Sequence, residues 1–592
     1  MNRRLYLILV IVVSVLLTLS ALRFAHQLKR SRSVPALSRD AQRTLGRAKL
    51  EYASERERFR EWLRELVRYR TVSSESGNDA AFLACAQRLE ELARTQVGCQ
   101  VTRIVQRQGR RPAVLAQCTL GRSSERSVLP QAPFTSSERA RAILFYGHYD
   151  VQPADAEKDG WTMTGDAFDP VEFDGRIYAR GVSDDKAGVT ALLAALSVLR
   201  QRLAIEVEEQ NSAPMRPLMV KLLLEGEEEI GSPGLEVLLE QHQDLLFSVQ
   251  CEEDEAAASC KNASIEFIVS VDGGQVDDRT GSLLLGMRGA AAFQVKVQGP
   301  QNDVHSGAWG GAVPNPLQGL AGLLASLHHS GNGSVAIPGF YAGIPDQNWS
   351  GIPSTDALVL REAARILPSE RAAAQRLGLQ RLGGGEYALF PSYLARLWFR
   401  PTLEIVGLGG GYAGEGIRGA IPAQALAKVL MRLIPGQDPQ RIASAFCNSV
   451  QEYARKHLEP RGLRCSCHNL SFFAKPFVSS PDDRLHSLLR ATLLTEYGSR
   501  VIAVHSGASI PALSLLHEHA NRRTRHNHHY SAPIPVGVLA FSLPSDQIHG
   551  PDEHFSWSRF DRAVHSYLHL LLRAREAPPA MAPLPIAHSK AV

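Results

Sequence analysis

Two short apolar runs constrain this chain more than anything else in it. Ala142-Ile143-Leu144-Phe145-Tyr146 and Leu218-Met219-Val220-Lys221-Leu222-Leu223-Leu224 are strand-length and almost wholly apolar, as strands are when both faces of their sheet are covered. Each ends abruptly on polar donors, GHYD (Gly147 to Asp150) after the first and EGEEEIGS (Glu225 to Ser232) after the second. In extended backbone, side chains two apart share a face, so His148 and Asp150 point the same way at the strand's carboxyl end. That is where open α/β sheets gather their ligands. The expected fold class is therefore α/β.

Three further segments add to the donor set: GVSDDKAG (Gly181 to Gly188), SVDGG (Ser270 to Gly274) and IHGPDE (Ile548 to Glu553). Imidazole and carboxylate donors suit zinc, cobalt or manganese rather than thiolate-seeking ions. Singly, each segment has a plain reading. His-x-Asp is common, a glutamate run is usually a solvated face, and Asp-Asp-Lys after a glycine can be a turn or a helix cap. Their joint occurrence at strand ends points instead to a metallohydrolase, with Asp150 able to hold the tautomer of a metal-bound His148.

The stretches GHYDVQPAD (Gly147 to Asp155), GRIYARGVSDDKAG (Gly175 to Gly188) and EGEEEIGSPG (Glu225 to Gly234) resemble the aminoacylase, carnosine dipeptidase and succinyl-diaminopimelate desuccinylase family of co-catalytic zinc peptidases. They are most similar to its dipeptidase-like branch, over roughly residues 55 to 575. The resemblance implies a zinc-exopeptidase-type catalytic domain with an inserted α+β, ferredoxin-like lid and dimerisation domain. It also implies two divalent ions per subunit, Zn2+ with Mn2+ or Co2+ as alternatives. His148 and Asp272 would bind one ion, Glu229 and His549 the other, and Asp184 would bridge them beside the non-ligand Asp185. Glu228 would be the general base, Asp150 a further catalytic residue, and Glu227, at a variable position of the motif, a bystander charge.

The alternation Ala292 to Val297, a helical stretch Asn315 to His328, strands at Thr402 to Val406 and Ala427 to Leu433, a helix Pro439 to His457 and a strand near Cys467 to Phe472 fit the inserted sandwich. Within it, His305 in Asn302 to Gly307 resembles the lid histidine that reaches the partner subunit's site and steadies an oxyanion. Arg432 resembles the arginine that grips a substrate carboxylate, and Ser509 a second substrate-binding residue. The chain departs from the family's Arg-Glu-Gly-Gly-Ser-Ile-Pro at His505 to Pro511, where His505 replaces Arg and Ala508 replaces Gly. Gly419 stands where carnosine-type dipeptidases carry a threonine. These changes bear on selectivity, not on the metal chemistry.

Leu5 to Leu22 is long and apolar enough to cross a bilayer, and lacks a clear small-x-small cleavage site, so an uncleaved membrane anchor is expected. Basic residues flank it on both sides, so the orientation stays open. The expected organisation is an anchor over 1–22, a stalk over 23–55, catalytic parts over 56–283 and 474–576 around a lid over 284–473, and a disordered tail over 577–592. Phe59, Trp62, Leu63, Leu66 and Val67 recur at helical spacing and mark the start of the globular part.

At 592 residues there is ample chain for two cores, and a net charge of +5 gives no argument for nucleic acid. Cys99 with Cys118, Cys251 near Cys260, and Asn-x-Ser sites at Asn262, Asn332, Asn348 and Asn469 lean towards a lumenal or extracytoplasmic catalytic domain. Cys465-x-Cys467 is read as lid strand. The histidines 517, 519, 526, 528 and 529 read as an exposed segment, with accessory metal binding the less favoured alternative. Three functions are in play: a dimeric exopeptidase for dipeptides or short peptides, an N-acyl-amino-acid hydrolase, and a silent membrane-tethered binding protein. A binding protein has no need of Glu228.

Overall fold

The computed structural model describes residues 36–120, 141–210, 218–248, 265–344, 354–383, 392–526 and 533–576. The expected anchor, the tail, Cys251, Cys260, Asn262, Asn348, His528 and His529 lie outside them.

Both apolar runs are inner strands of one six-stranded sheet. Its order is Val101–Val105, Ala113–Leu120, Leu218–Glu225, Arg141–His148, Ile265–Ser270, Val536–Val538. The last four run parallel, and the first two are antiparallel additions at one side. Successive side chains leave opposite faces: Ile143 and Phe145 enter one core while Ala142, Leu144 and Tyr146 enter another. The neighbouring strand divides likewise, Val220, Leu222 and Leu224 to the first core, Met219 and Leu223 to the second. Lys221 interrupts that run, and its Nζ offsets part of the burial cost by donating to the carbonyls of Leu245 and Ser248. The helices Arg39–Arg68, Ala187–Gln210 and Trp557–Glu576 cover one face, and Leu235–Gln241 with Pro511–His526 the other. Ala187–Gln210, with the turn before it, is long and apolar enough to pass as a membrane span, but it lies buried in this core.

The span expected to be the lid forms a four-stranded antiparallel sheet, in order Thr402–Gly409, Gln424–Leu433, Gly289–Gln298, Arg464–Ala474. Helices Pro316–Ser326 and Pro439–Tyr453 pack their apolar sides on one face of it. Each expected lid element is present, with strands longer than their apolar cores suggested. Cys467 is in the lid strand, as read, and its partner is Cys447 on the second helix; Cys99 pairs with Cys118.

Three expectations need correction. The stalk does not extend to residue 55: a helix begins at Arg39, capped by the Ser38 side chain, and buries Ala41, Thr44, Ala48 and Tyr52. Its inward residues are small or polar, so its apolar pattern is faint. The histidine tract is not an exposed segment as far as it is described. Pro511–His526 is a helix that buries Ala512, Leu513, Leu516 and Ala520, with His517 edge-on to Phe477 at 5.8 Å. Third, within the sequence span given to the lid, helices Ser354–Ala363 and Tyr393–Phe399 pack on the catalytic side. Leu360, Leu394 and Trp398 bury against Ile502 and Val504 of the strand Val501–Ser506.

Candidate metal centre

Register aligns the carboxyl ends of the central strands, with His148 beside Glu225 and Tyr146 beside Ser270. The loops that follow these strands therefore open on the same side. The Gly181–Lys186 turn is drawn in beneath them. A Cβ at Gly147 would meet Val189 and Val271 at 2.8 Å and Oδ2 of Asp185, in that turn, at 3.0 Å, so only glycine lets the strand and the turn approach so closely.

Asp184 is central to the cluster. Its Oδ1 lies 3.0 Å from His148 Nε2 and its Oδ2 3.1 Å from His549 Nε2. His549 Nε2 is also 3.2 Å from Glu229 Oε2, and His148 Nε2 is 4.0 Å from Asp272 Oδ2. The ligand atoms of His148, Asp184 and Asp272 lie within 4.8 Å of one another, as do those of Asp184, Glu229 and His549. Two groups that could each hold an ion thus share one aspartate. His549 has φ of 63°, a left-handed backbone uncommon for a side-chain-bearing residue and frequent at functional sites.

The charge balance fits a cation. Four carboxylates, those of Asp184, Glu228, Glu229 and Asp272, crowd around the buried imidazole of His148 and the half-exposed one of His549. Burial and then the neighbouring Asp184 push Asp272 up to about 7, and burial pushes Glu228 well above the usual carboxylate range. Burial opposes charge on His549, but its bonds to Asp184 and Glu229 prevail and push it up to about 10. The same histidine bonds overcome burial at Asp184 and hold it well below its ordinary value. Nitrogen and oxygen donors in two such groups suit a pair of divalent ions of the zinc, cobalt or manganese kind.

Asp150 faces two partners. Its backbone carbonyl lies 3.1 Å from His148 Nδ1 and its carboxylate Oδ1 3.4 Å away. The carboxylate oxygens accept the backbone N–H groups of Glu228 and Glu229, at 3.1 and 3.0 Å. Asp150 thus fixes both the imidazole and the glutamate pair. Glu227 is no bystander either, since it is buried and accepts the Arg111 N–H at 3.2 Å.

Several contributors escaped the sequence reading. Glu553 accepts N–H groups from Gly181, Ser183 and Asp184 at 2.9, 2.9 and 3.2 Å and pairs with Arg180 at 2.7 Å, clamping the turn that carries Asp184. Asp546 takes the Ser183 hydroxyl at 2.8 Å and both guanidinium ends of Arg559 at 2.6 Å. Gln152 donates to Glu229 Oε2 at 2.8 Å. Glu553 was visible only as an acidic residue four places beyond His549.

A cavity of about 550 Å³ opens beside the cluster, and Asp184, Glu228, Glu229, Asp272 and His549 line it. Arg432 and Ser509 line it as well, joined by a 3.0 Å hydrogen bond from Arg432 Nη1 to Ser509 Oγ. His305 does not. It is exposed in the lid, where its Nδ1 accepts the N–H groups of Gly307 and Ala308 at 3.0 and 3.3 Å. A third donor group, Glu236, Glu240 and His519, lies on the far helices, and Arg522 already stands 3.6 Å from Glu236.

Residues 144–573 match the model of a family described as peptidase family M20/M25/M40. Beta-Ala-His dipeptidase of Homo sapiens is 28% identical over 385 residues, 64% of this chain and 66% of that protein. The chain thus spans about two thirds of that relative's length. Cys-Gly metallodipeptidase dug1 of Schizosaccharomyces pombe is 26% identical over 381 residues, 63% of this chain and 69% of that one. Among solved structures, the dipeptidase Dug1p from Saccharomyces cerevisiae superposes with a TM-score of 0.71 at 20% identity, over 90% of this chain and 99% of that one. Human carnosine dipeptidase 1 gives 0.68 at 21%, with the same coverage. These two likenesses speak for the fold, and the family match runs from the first strand of the metal cluster into the last helix: the chain belongs to peptidase family M20/M25/M40.

Proposed function

We propose that this protein is a metal-dependent dipeptidase that hydrolyses the amide bond of dipeptides or short peptides. The observation that carries the reading is Asp184, whose two oxygens face two imidazoles at 3.0 and 3.1 Å and so suit it to bridge two ions. His148 and Asp272 complete one ligand set, Glu229 and His549 the other. Zinc is the ion the donor set favours, with manganese and cobalt next. When bound, such a pair supplies Lewis acidity to a water and to the scissile carbonyl.

The chain's own groups do the rest. Glu228, half-buried at the cavity wall, takes the proton from the attacking water and returns it to the leaving amine. Arg432, part-buried and without an ion pair among the described residues, offers its planar fork to the substrate's terminal carboxylate, with Ser509 beside it. His305 serves the site of a second copy in a homodimer formed through the lid. The exposed Val406 and Leu408 on the lid's edge strand support such an interface. Leu5 to Leu22 anchors the chain in a membrane, and the disulfides Cys99–Cys118 and Cys447–Cys467 support a lumenal or extracytoplasmic catalytic domain.

The test is hydrolysis of a panel of dipeptides and N-acyl amino acids by protein stripped of metal and reloaded with zinc or manganese. Metal-dependent dipeptide cleavage is expected. Preference for acyl amides would move the assignment to an N-acyl-amino-acid hydrolase, and two bound ions with no turnover on any substrate would overturn both.

A further inference from the structure

The cavity is lined by two unlike sets of residues. One is the donor cluster. The other is apolar, formed by Leu284, Leu397, Trp398, Val504 and Ile510. Leu397 is 45% exposed although it is a large apolar side chain among cavity-lining residues. His505, which replaces the family's arginine, adds no charge there at neutral pH. Its ring packs on Phe399 at 4.7 Å and on Trp398 at 6.2 Å, and burial pushes it down to about 4.

These apolar residues are tied to the carboxylate anchor by a continuous set of bonds. Arg432 donates to Ser509 Oγ at 3.0 Å, and Ser509 in turn donates to the Arg288 carbonyl at 2.6 Å. The Arg288 side chain holds the Gly507 carbonyl at 2.9 Å and the Arg400 carbonyl at 3.1 Å, just past the helix that bears Leu397 and Trp398. A Cβ built on Gly507 would stand 3.1 Å from Leu397 Cδ1, two residues from Ser509. The apolar wall therefore begins where a carboxylate held by Arg432 would end.

We propose that this lobe receives the side chain of the substrate residue that bears the free carboxylate, so that the preferred dipeptides end in a large aliphatic or aromatic residue. The inference rests on the dipeptidase reading and on Arg432 as the carboxylate anchor. Withdrawing a leucine- or phenylalanine-sized group from water into such a pocket raises kcat/KM by roughly 10- to 100-fold over glycine.

The test compares kcat/KM of the metal-loaded full chain on Ala-Gly, Ala-Ser, Ala-Leu and Ala-Phe, with Leu-Ala and Phe-Gly as mirror substrates. Ala-Leu and Ala-Phe should exceed Ala-Gly by about 10- to 100-fold, and Leu397→Ser should reduce that ratio to a few-fold. Leu397 is the better position to vary, because Trp398 is part of a core and its loss risks unfolding. Equal rates across the Ala-X series, or a preference that follows the amino-terminal residue, would overturn the inference and leave the dipeptidase reading standing. Failure to cleave any of the six, with metal bound, would overturn both.

Discussion

The donor cluster and the lid histidine are built on opposite terms. His148 is fully buried, touched on both ring nitrogens, and set at the end of a strand enclosed by two cores. His305 is exposed and, among the described residues, bonded only to its own loop. One subunit thus completes the part of the site that would hold metal. His305, proposed to steady charge on the substrate of a second copy, faces outward.

Breaking the cluster should have the largest effect. Asp184→Ala removes the one carboxylate common to both ligand sets, so both metal content and turnover should be lost, as read by elemental analysis and a dipeptide assay. Glu228→Gln separates chemistry from binding: kcat should fall by about 10²- to 10⁴-fold with metal content unchanged. Normal turnover by this variant would remove Glu228 as the base.

The lid side of the comparison is sharpened by His305→Ala, expected to lower kcat by about 10²- to 10³-fold. Mixing this variant with Glu228→Gln should restore part of the activity if the imidazole acts across subunits. If His305 acts within its own subunit, or not at all, mixing restores nothing. Smaller still is Glu553→Gln, which loosens the turn under Asp184 without removing a ligand. A metal affinity about 10- to 100-fold weaker is expected in a chelator competition, together with a lowered Tm.

The same contrast explains what the sequence disclosed. His148 with Asp150, and Glu228 with Glu229, were legible because each pair follows an apolar strand within a few residues, so local geometry fixes where they point. Glu553 and Asp546 act on Ser183 and Asp184 from more than 360 positions away, and no local pattern announces such a pairing. The amino-terminal helix was underread because Ala41, Thr44, Ala48 and Tyr52 fill its buried side, a weak apolar signal in an arginine-rich stretch. The wall formed by Leu397 and Trp398 was missed for a third reason. Its helix lies between lid elements in sequence yet packs on the strand Val501–Ser506.

The clamp on the Gly181–Asp184 turn also sets an order of events in biosynthesis. A growing chain carries His148, Asp184 and Glu229 for hundreds of residues before His549 and Glu553 exist. Until those last residues emerge, the turn lacks the carboxylate that gathers its N–H groups and Asp184 lacks its second imidazole. The donor set is thus completed only after residues 549 to 553 have been made, and a nascent fragment that stops short of them has no finished centre.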